Sequence, residues 1–160
     1  GYDTATKVNP PLRSTEDREA VLEGLADGTI DVIATDHAPH AREEKEVEYA
    51  LAPNGMVGLE TAVPLVVTQL IEKGVLTWSQ AIEKLTINPA KILNLPFGTL
   101  SPGQRADVTI IDPQKEAWVD PHKFYSLGKN TPFAGWHLKG WPVATIVDGR
   151  VIMQDGQIKE

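Results

Sequence analysis

Apolar and polar positions along this chain switch between a helical and a strand period, and prolines and glycines mark most of the joints. After Asn9-Pro10-Pro11-Leu12-Arg13, a stretch that cannot be helical inside because proline lacks a donor and restricts its predecessor, Ser14 and Asp17 form a variant capping box. The helix they open carries Val21, Leu22 and Leu25 on one face and Glu16 and Asp17 in its first turn, and Gly28 ends it. Residues 30–35 are short, nearly continuous in apolar character and rich in β-branched side chains, which predicts a strand buried on both faces of a parallel sheet. Residues 41–58 read as a long surface loop with a turn at Pro53-Asn54-Gly55. Residues 59–73 predict an apolar helix with Pro64 in its first turns. Thr77 and Gln80 make a capping box for a helix to about Leu85, and Asn88-Pro89-Ala90 begins a short one.

Beyond Pro96 the pattern changes. Residues 107–112 predict a strand, and residues 113–142 are rich in proline, glycine and aromatics with little periodicity. Residues 143–147 and 151–153 predict a hairpin about Asp148-Gly149, with a further turn at Asp155-Gly156. No internal repeat or low-complexity tract interrupts the chain. The expected organisation is an α/β part over residues 1–94 and a β part over residues 95–160.

Composition narrows the function classes. The 160 residues are 41% hydrophobic and 23% charged, the balance of a globular domain with a real core. A formal charge of −7 argues against nucleic-acid and acidic-membrane surfaces. The absence of cysteine removes disulfide frameworks, thiol nucleophiles and cysteine-ligated zinc. No apolar run approaches a membrane span, and the first residues lack a signal-peptide pattern, so a cytoplasmic protein is the expectation.

The chemistry-bearing residues gather after the predicted 30–35 strand. Asp36 stands at its end with His37 and His40 within four positions, and α/β barrels carry their function at strand C-terminal ends. A carboxylate there can bind a metal and move a proton, and imidazoles can ligate or polarise a carbonyl. On pattern alone, Asp36 also reads as a loop cap and the histidines as surface residues. Asn9 beside Pro10-Pro11 and the backbone of Asn54-Gly55 could contact a ligand or form simple turns. The charge run from Glu43 to Glu48 reads as a solvated face. His122 and His137 read as structural, and the four tryptophans as packing residues.

Taken together, these segments resemble the dihydroorotase family in its longer bacterial type. Asn9-Pro10-Pro11-Leu12-Arg13 is similar to the motif ending the seventh barrel strand, and Thr35-Asp36-His37-Ala38-Pro39-His40 to that ending the eighth. Residues 53–61 resemble the loop that closes over substrate. Asn88-Pro89-Ala90 and residues 98–107 resemble stretches of the wider amidohydrolase superfamily. The resemblance implies the C-terminal part of a (β/α)8 metal-dependent hydrolase barrel followed by strands of a small β-sandwich module. It implies zinc, one or two ions, with Asp36 as ligand and as the residue that carries a proton from the attacking water to the leaving nitrogen. Asn9, His40, Asn54 and Gly55 would bind dihydroorotate, while His37 would act from behind, for instance by orienting Asp36.

Family members also carry a His-x-His pair after the first barrel strand, and none occurs here. A whole barrel needs about 250 residues. The expectation is therefore a fragment, weak in zinc binding and inactive alone, whose partner is the remaining N-terminal part of the barrel, with a homodimer or aspartate transcarbamoylase as further partners. The faces of residues 30–35 and 59–71 that would meet the rest of the barrel should be exposed. The alternatives are another cyclic amidohydrolase, an allantoinase or dihydropyrimidinase, or a non-catalytic scaffold subunit of the same family.

Overall fold

The computed structural model describes residues 2–159, and the chain divides into two compact units. One comprises the residues up to Ala20, Ala34–Ala62 and Trp118–His137; the other comprises Val21–Ile33, Val63–Ala117 and the residues from Leu138 onward.

The second unit holds a helical core. Helix α1 (Thr15–Asp27) ends at Gly28, whose φ of 88° is the left-handed stop that glycine adopts without strain. Its N-terminal box forms as expected: Ser14 Oγ accepts from Asp17 N at 3.2 Å, and Asp17 Oδ2 accepts from Ser14 N at 3.3 Å. Leu22 and Leu25 pack into the core, but Val21 is 51% exposed, because the buried stripe of this helix is narrower than the predicted face.

Helix α2 (Arg42–Lys45) is a single turn in the region read as loop. Helix α3 (Ala62–Val66) runs directly into a π-helical turn (Val67–Ile71). Regular helix is reached at Ala62 and not at residue 59, although Ala62 N already donates to Gly58 O at 3.0 Å; the His37 ring accepts from Gly58 N, a donor that a helix start leaves without an intrahelical partner. Helices α4 (Trp78–Leu85) and α5 (Ile87–Ile92) follow, α4 with its Thr77–Gln80 box in place. Val66, Leu70, Leu76 and Ala81 close on Leu25, so within the 59–71 stretch the apolar face is mostly covered, with Leu59 exposed.

The predicted strand at residues 30–35 does not pair as one. Its backbone groups find other partners: Lys84 Nζ donates to Ile30 O, Asn88 Nδ2 donates to Asp31 O at 3.0 Å, and Ile33 N donates to Lys84 O at 3.1 Å. A parallel strand needs a neighbouring strand for its ladder, and among the described residues none lies beside this segment.

Strands β1 (Val108–Trp118), β2 (His137–Val147), β3 (Arg150–Gln154) and β4 (Gln157–Ile158) form one sheet in the order β1-β2-β3-β4. β1 and β2 extend well into the stretch read as loop, because pairing supplies the order that periodicity lacks. The β2–β3 and β3–β4 pairs are antiparallel. Both hairpins turn on Asp-Gly, with φ of 50° and 76° at Asp148-Gly149 and 52° and 79° at Asp155-Gly156, the positive pair a type I′ turn demands. The coarse expectation of an α/β chain holds, with an antiparallel sheet. No helix among the described residues is long and apolar enough to cross a membrane.

Candidate active site

All five residues singled out from the sequence lie in the first unit, on loops. Asp36 has a φ of 44°, a left-handed conformation that costs an L-residue energy, although Asp tolerates it better than most. Its side chain is exposed and makes no hydrogen bond or ion pair among the described residues. The next residue, His37, forms an isolated parallel bridge with Met56, and Ala38 N donates to Met56 O at 2.9 Å. The loop holding Asp36 is thus stitched to the loop holding Asn54 and Gly55.

His37 does not orient Asp36. Its Nδ1 accepts from Gly58 N at 3.1 Å and lies 3.4 Å from Leu59 N, while Nε2 faces Ser126 Oγ at 3.4 Å. This pattern assigns the neutral tautomer with the proton on Nε2. His37 therefore serves as the anchor of the 56–59 backbone.

His40, Asn54 and Gly55 come together. His40 Nε2 donates to Asn54 O at 2.9 Å, which leaves Nδ1 facing Glu44 Oε2 at 3.6 Å. Gly55 has a φ of 130°, and a Cβ there would lie 2.6 Å from Ala38 Cβ and 3.0 Å from His40 Nε2, so only glycine permits this approach. Asn9 is exposed and makes no hydrogen bond among the described residues, but its segment is attached nearby, with Gly55 N donating to Lys7 O at 2.8 Å.

Sequence reasoning missed the groups that hold these loops. Lys45, read as part of a solvated charge run, is only 7% exposed, and its Nζ donates to Pro53 O at 2.9 Å and Gly55 O at 3.0 Å. Burial pushes its pKa down, the neighbouring Lys7 ammonium adds to this, and Asp3 opposes it. Asn130 is 9% exposed and bonds to both loops. Glu60 Oε1 accepts from Ser126 N at 2.8 Å, while Oε2 is buried with no partner among the described residues. Burial pushes Glu60 up, but hydrogen bonds from the Ser126 side chain and backbone and from its own backbone N–H outweigh it, and its pKa lies below the ordinary value. A charged run signals surface by default and Asn130 lies ninety residues from its partner His40, so no local pattern marks either. Two of the four tryptophans also depart from expectation: Trp118 is 68% exposed against the His137 ring, and Trp136 is 44% exposed against Phe133.

A cleft of about 920 Å³ opens beside His40, lined also by Lys45, Leu127, Lys129 and Asn130. Asp36, Asn9, Asn54 and Gly55 do not line it. The bonded loops, not the concavity, define the candidate site. For a metal, the exposed and unpartnered Asp36 carboxylate fits the part of one ligand. The described residues contain no group of three or more His, Cys, Asp or Glu side chains able to hold an ion. His37 is engaged through both ring nitrogens and His40 through Nε2, so the further ligands an ion would need are not gathered beside Asp36 among the described residues.

The amidohydrolase family model matches residues 6–152, and the chain belongs to the amidohydrolase family. Within that class, the curated relatives that follow carry one name. Dihydroorotase of Pelotomaculum thermopropionicum is 67% identical over 159 residues, 99% of this chain and 37% of its own length. Dihydroorotase of Geobacillus sp. is 57% identical over 98% of this chain, and that of Bacillus subtilis 55% identical over 99%, again covering 37% of each relative. The expected resemblance to dihydroorotases is borne out, and the chain spans 37% of the length of these relatives. Among solved structures, L-hydantoinase (dihydropyrimidinase) of Arthrobacter aurescens superposes with a TM-score of 0.94 at 36% identity, over 99% of this chain and 36% of that one. D-hydantoinase of Thermus sp. gives 0.88 at 27% identity, over 98% and 35%.

Proposed function

We propose that these residues form one side of a dihydroorotase active site, which hydrolyses the cyclic amide of dihydroorotate reversibly to N-carbamoyl-aspartate in pyrimidine synthesis. The observation that carries this is the Asp36 carboxylate, exposed, without a partner among the described residues and presented from a left-handed turn beside the bridge to the 53–59 loop. A constrained backbone holding a free carboxylate suits a group that must meet a metal and a substrate. The name shared by relatives 67%, 57% and 55% identical supports the substrate.

In this reading Asp36 is one ligand of zinc, one or two ions, which when bound supplies Lewis acidity toward water and the ring carbonyl. Asp36 takes a proton as water adds to the amide carbon, and returns it to the ring nitrogen as the C–N bond breaks. His40 and Asn9 contact the substrate, and Asn54 and Gly55 bind the pyrimidine ring. The Asn54 and Gly55 carbonyls are already bonded to His40, Lys45 and Asn130, and Gly55 N to Lys7 O, so polar recognition of the ring falls to the N–H and side chain of Asn54, while Gly55 contributes close approach of a backbone without Cβ. The same reading makes residues 1–94 the last strands and helices of a (β/α)8 barrel and residues 95–160 a β-sandwich module. It brings with it the rest of the barrel as partner, a second copy or aspartate transcarbamoylase beyond that, and a cytoplasmic setting.

The test is hydrolysis of dihydroorotate, allantoin, hydantoin and dihydrouracil by the zinc-loaded complete gene product. Dihydroorotate should be turned over fastest. Preference for hydantoin or dihydrouracil would give the function to the hydantoinase-like fold neighbours, and no turnover of any would leave a scaffold role.

A further inference from the structure

We infer that Asn130, with Lys45 opposite it, is a positioning residue that clamps the 53–59 loop onto His40 and thereby sets substrate affinity. This rests on the functional reading above for His40 and Gly55. Asn130 Oδ1 accepts from His40 N at 3.0 Å, and its Nδ2 donates to Ala38 O and Gly55 O, both at 3.1 Å. Its backbone carbonyl takes Val57 N at 2.9 Å. One buried side chain therefore joins both loops of the candidate site. The task needs an acceptor and two donors on one short planar group, which an asparagine amide supplies. A carboxylate would turn acceptors toward two carbonyls, and an apolar side chain would leave them without their Asn130 partner.

The Gly55 carbonyl carries the second half of the device. It receives the Asn130 amide at 3.1 Å and the Lys45 ammonium at 3.0 Å, so both of its lone pairs are engaged. Lys45 makes no ion pair with a carboxylate among the described residues, and its charge is spent on the Pro53 and Gly55 carbonyls. Two close approaches make room for the clamp: Gly55 against Ala38 and His40, and Gly128, where a Cβ would lie 2.9 Å from both Asn130 Oδ1 and His40 N. Neither Asn130 nor Lys45 bonds to Asp36. The clamp reaches the binding groups and not the proton-carrying one.

The experiment compares Asn130→Ala with wild type in the complete gene product, zinc-loaded, on dihydroorotate. KM should rise roughly tenfold or more with kcat within about twofold, because lost loop-holding hydrogen bonds weaken binding and leave the proton transfer intact. Backbone amides of residues 55–58 in the same protein should exchange at least about tenfold faster, with the α4 amides unchanged. A merely structural role would lower the active fraction, so kcat would fall at constant KM; that result overturns the proposal, as does unchanged exchange. Should Asn130→Ala fail to fold, Lys45→Met loosens the same loop from the other side, and a KM equal to wild type there rejects the clamp. If wild type leaves dihydroorotate intact, the functional reading fails, and the exchange comparison still decides the clamp.

Discussion

Replacing Gly128 by alanine tests how closely the 126–130 segment is seated on the 38–40 loop. The added Cβ would lie 2.7 Å from Pro39 Cβ and 2.9 Å from both Asn130 Oδ1 and His40 N. Two of these neighbours are the acceptor and the donor of the 3.0 Å bond that joins the loops, and the third is a rigid ring carbon. No flexible side-chain end is available to move aside. Overpacking of this kind costs about 1–3 kcal/mol, and loosening one buried hydrogen bond adds about 1 kcal/mol, so the expected destabilisation is about 2–4 kcal/mol. For a chain of 160 residues, that corresponds to a melting point lower by roughly 5–15 °C. Thermal unfolding followed by circular dichroism reads it directly. A Gly128→Ala melting point within a degree or so of wild type would refute the reasoning, since it would mean that the segment can withdraw from Pro39 and His40 at no cost.

Other substitutions separate stability from chemistry. Asp36→Asn should cut dihydroorotate turnover by about 100-fold or more in the complete gene product while leaving the melting point nearly unchanged, because an exposed, unpartnered carboxylate adds little to stability; a large drop in stability with activity retained would reverse its assignment. Thr77→Ala removes the acceptor of the Gln80 N–H at the start of α4 and should cost about 1 kcal/mol in urea unfolding. Glu60 titrates below its ordinary value of 4.5, so its contribution to stability is present above that pH and is lost as pH falls through the lower folded value. Glu60→Gln should therefore flatten the acid limb of the urea midpoint against pH, and superimposable profiles would contradict this.

The features set by neighbouring residues were legible in the sequence. Both Asp-Gly turns, the Ser14 and Thr77 boxes and the Gly28 stop depend on backbone preferences within a few positions, and all are found where expected. The grouping of Asp36 and His40 on one loop was legible for the same reason. What depended on distant partners was not. Residues 30–35 carry a strand's composition, yet their backbone bonds go to Lys84 and Asn88, because a strand exists only where another lies alongside. His37 acts from behind the site, but through Gly58 and not by orienting Asp36. Lys45 reads as solvated among its charged neighbours, and only the carbonyls of Pro53 and Gly55 make its burial tolerable. Asn130 has no local mark at all; its role arises from side-chain hydrogen bonds to residues 75 to 92 positions away, a separation at which sequence pattern carries no information about contact. The sequence determined which residues can do chemistry and where the chain turns. The tertiary structure decided which of them are held together, since that is a matter of closing loops around particular hydrogen-bond partners.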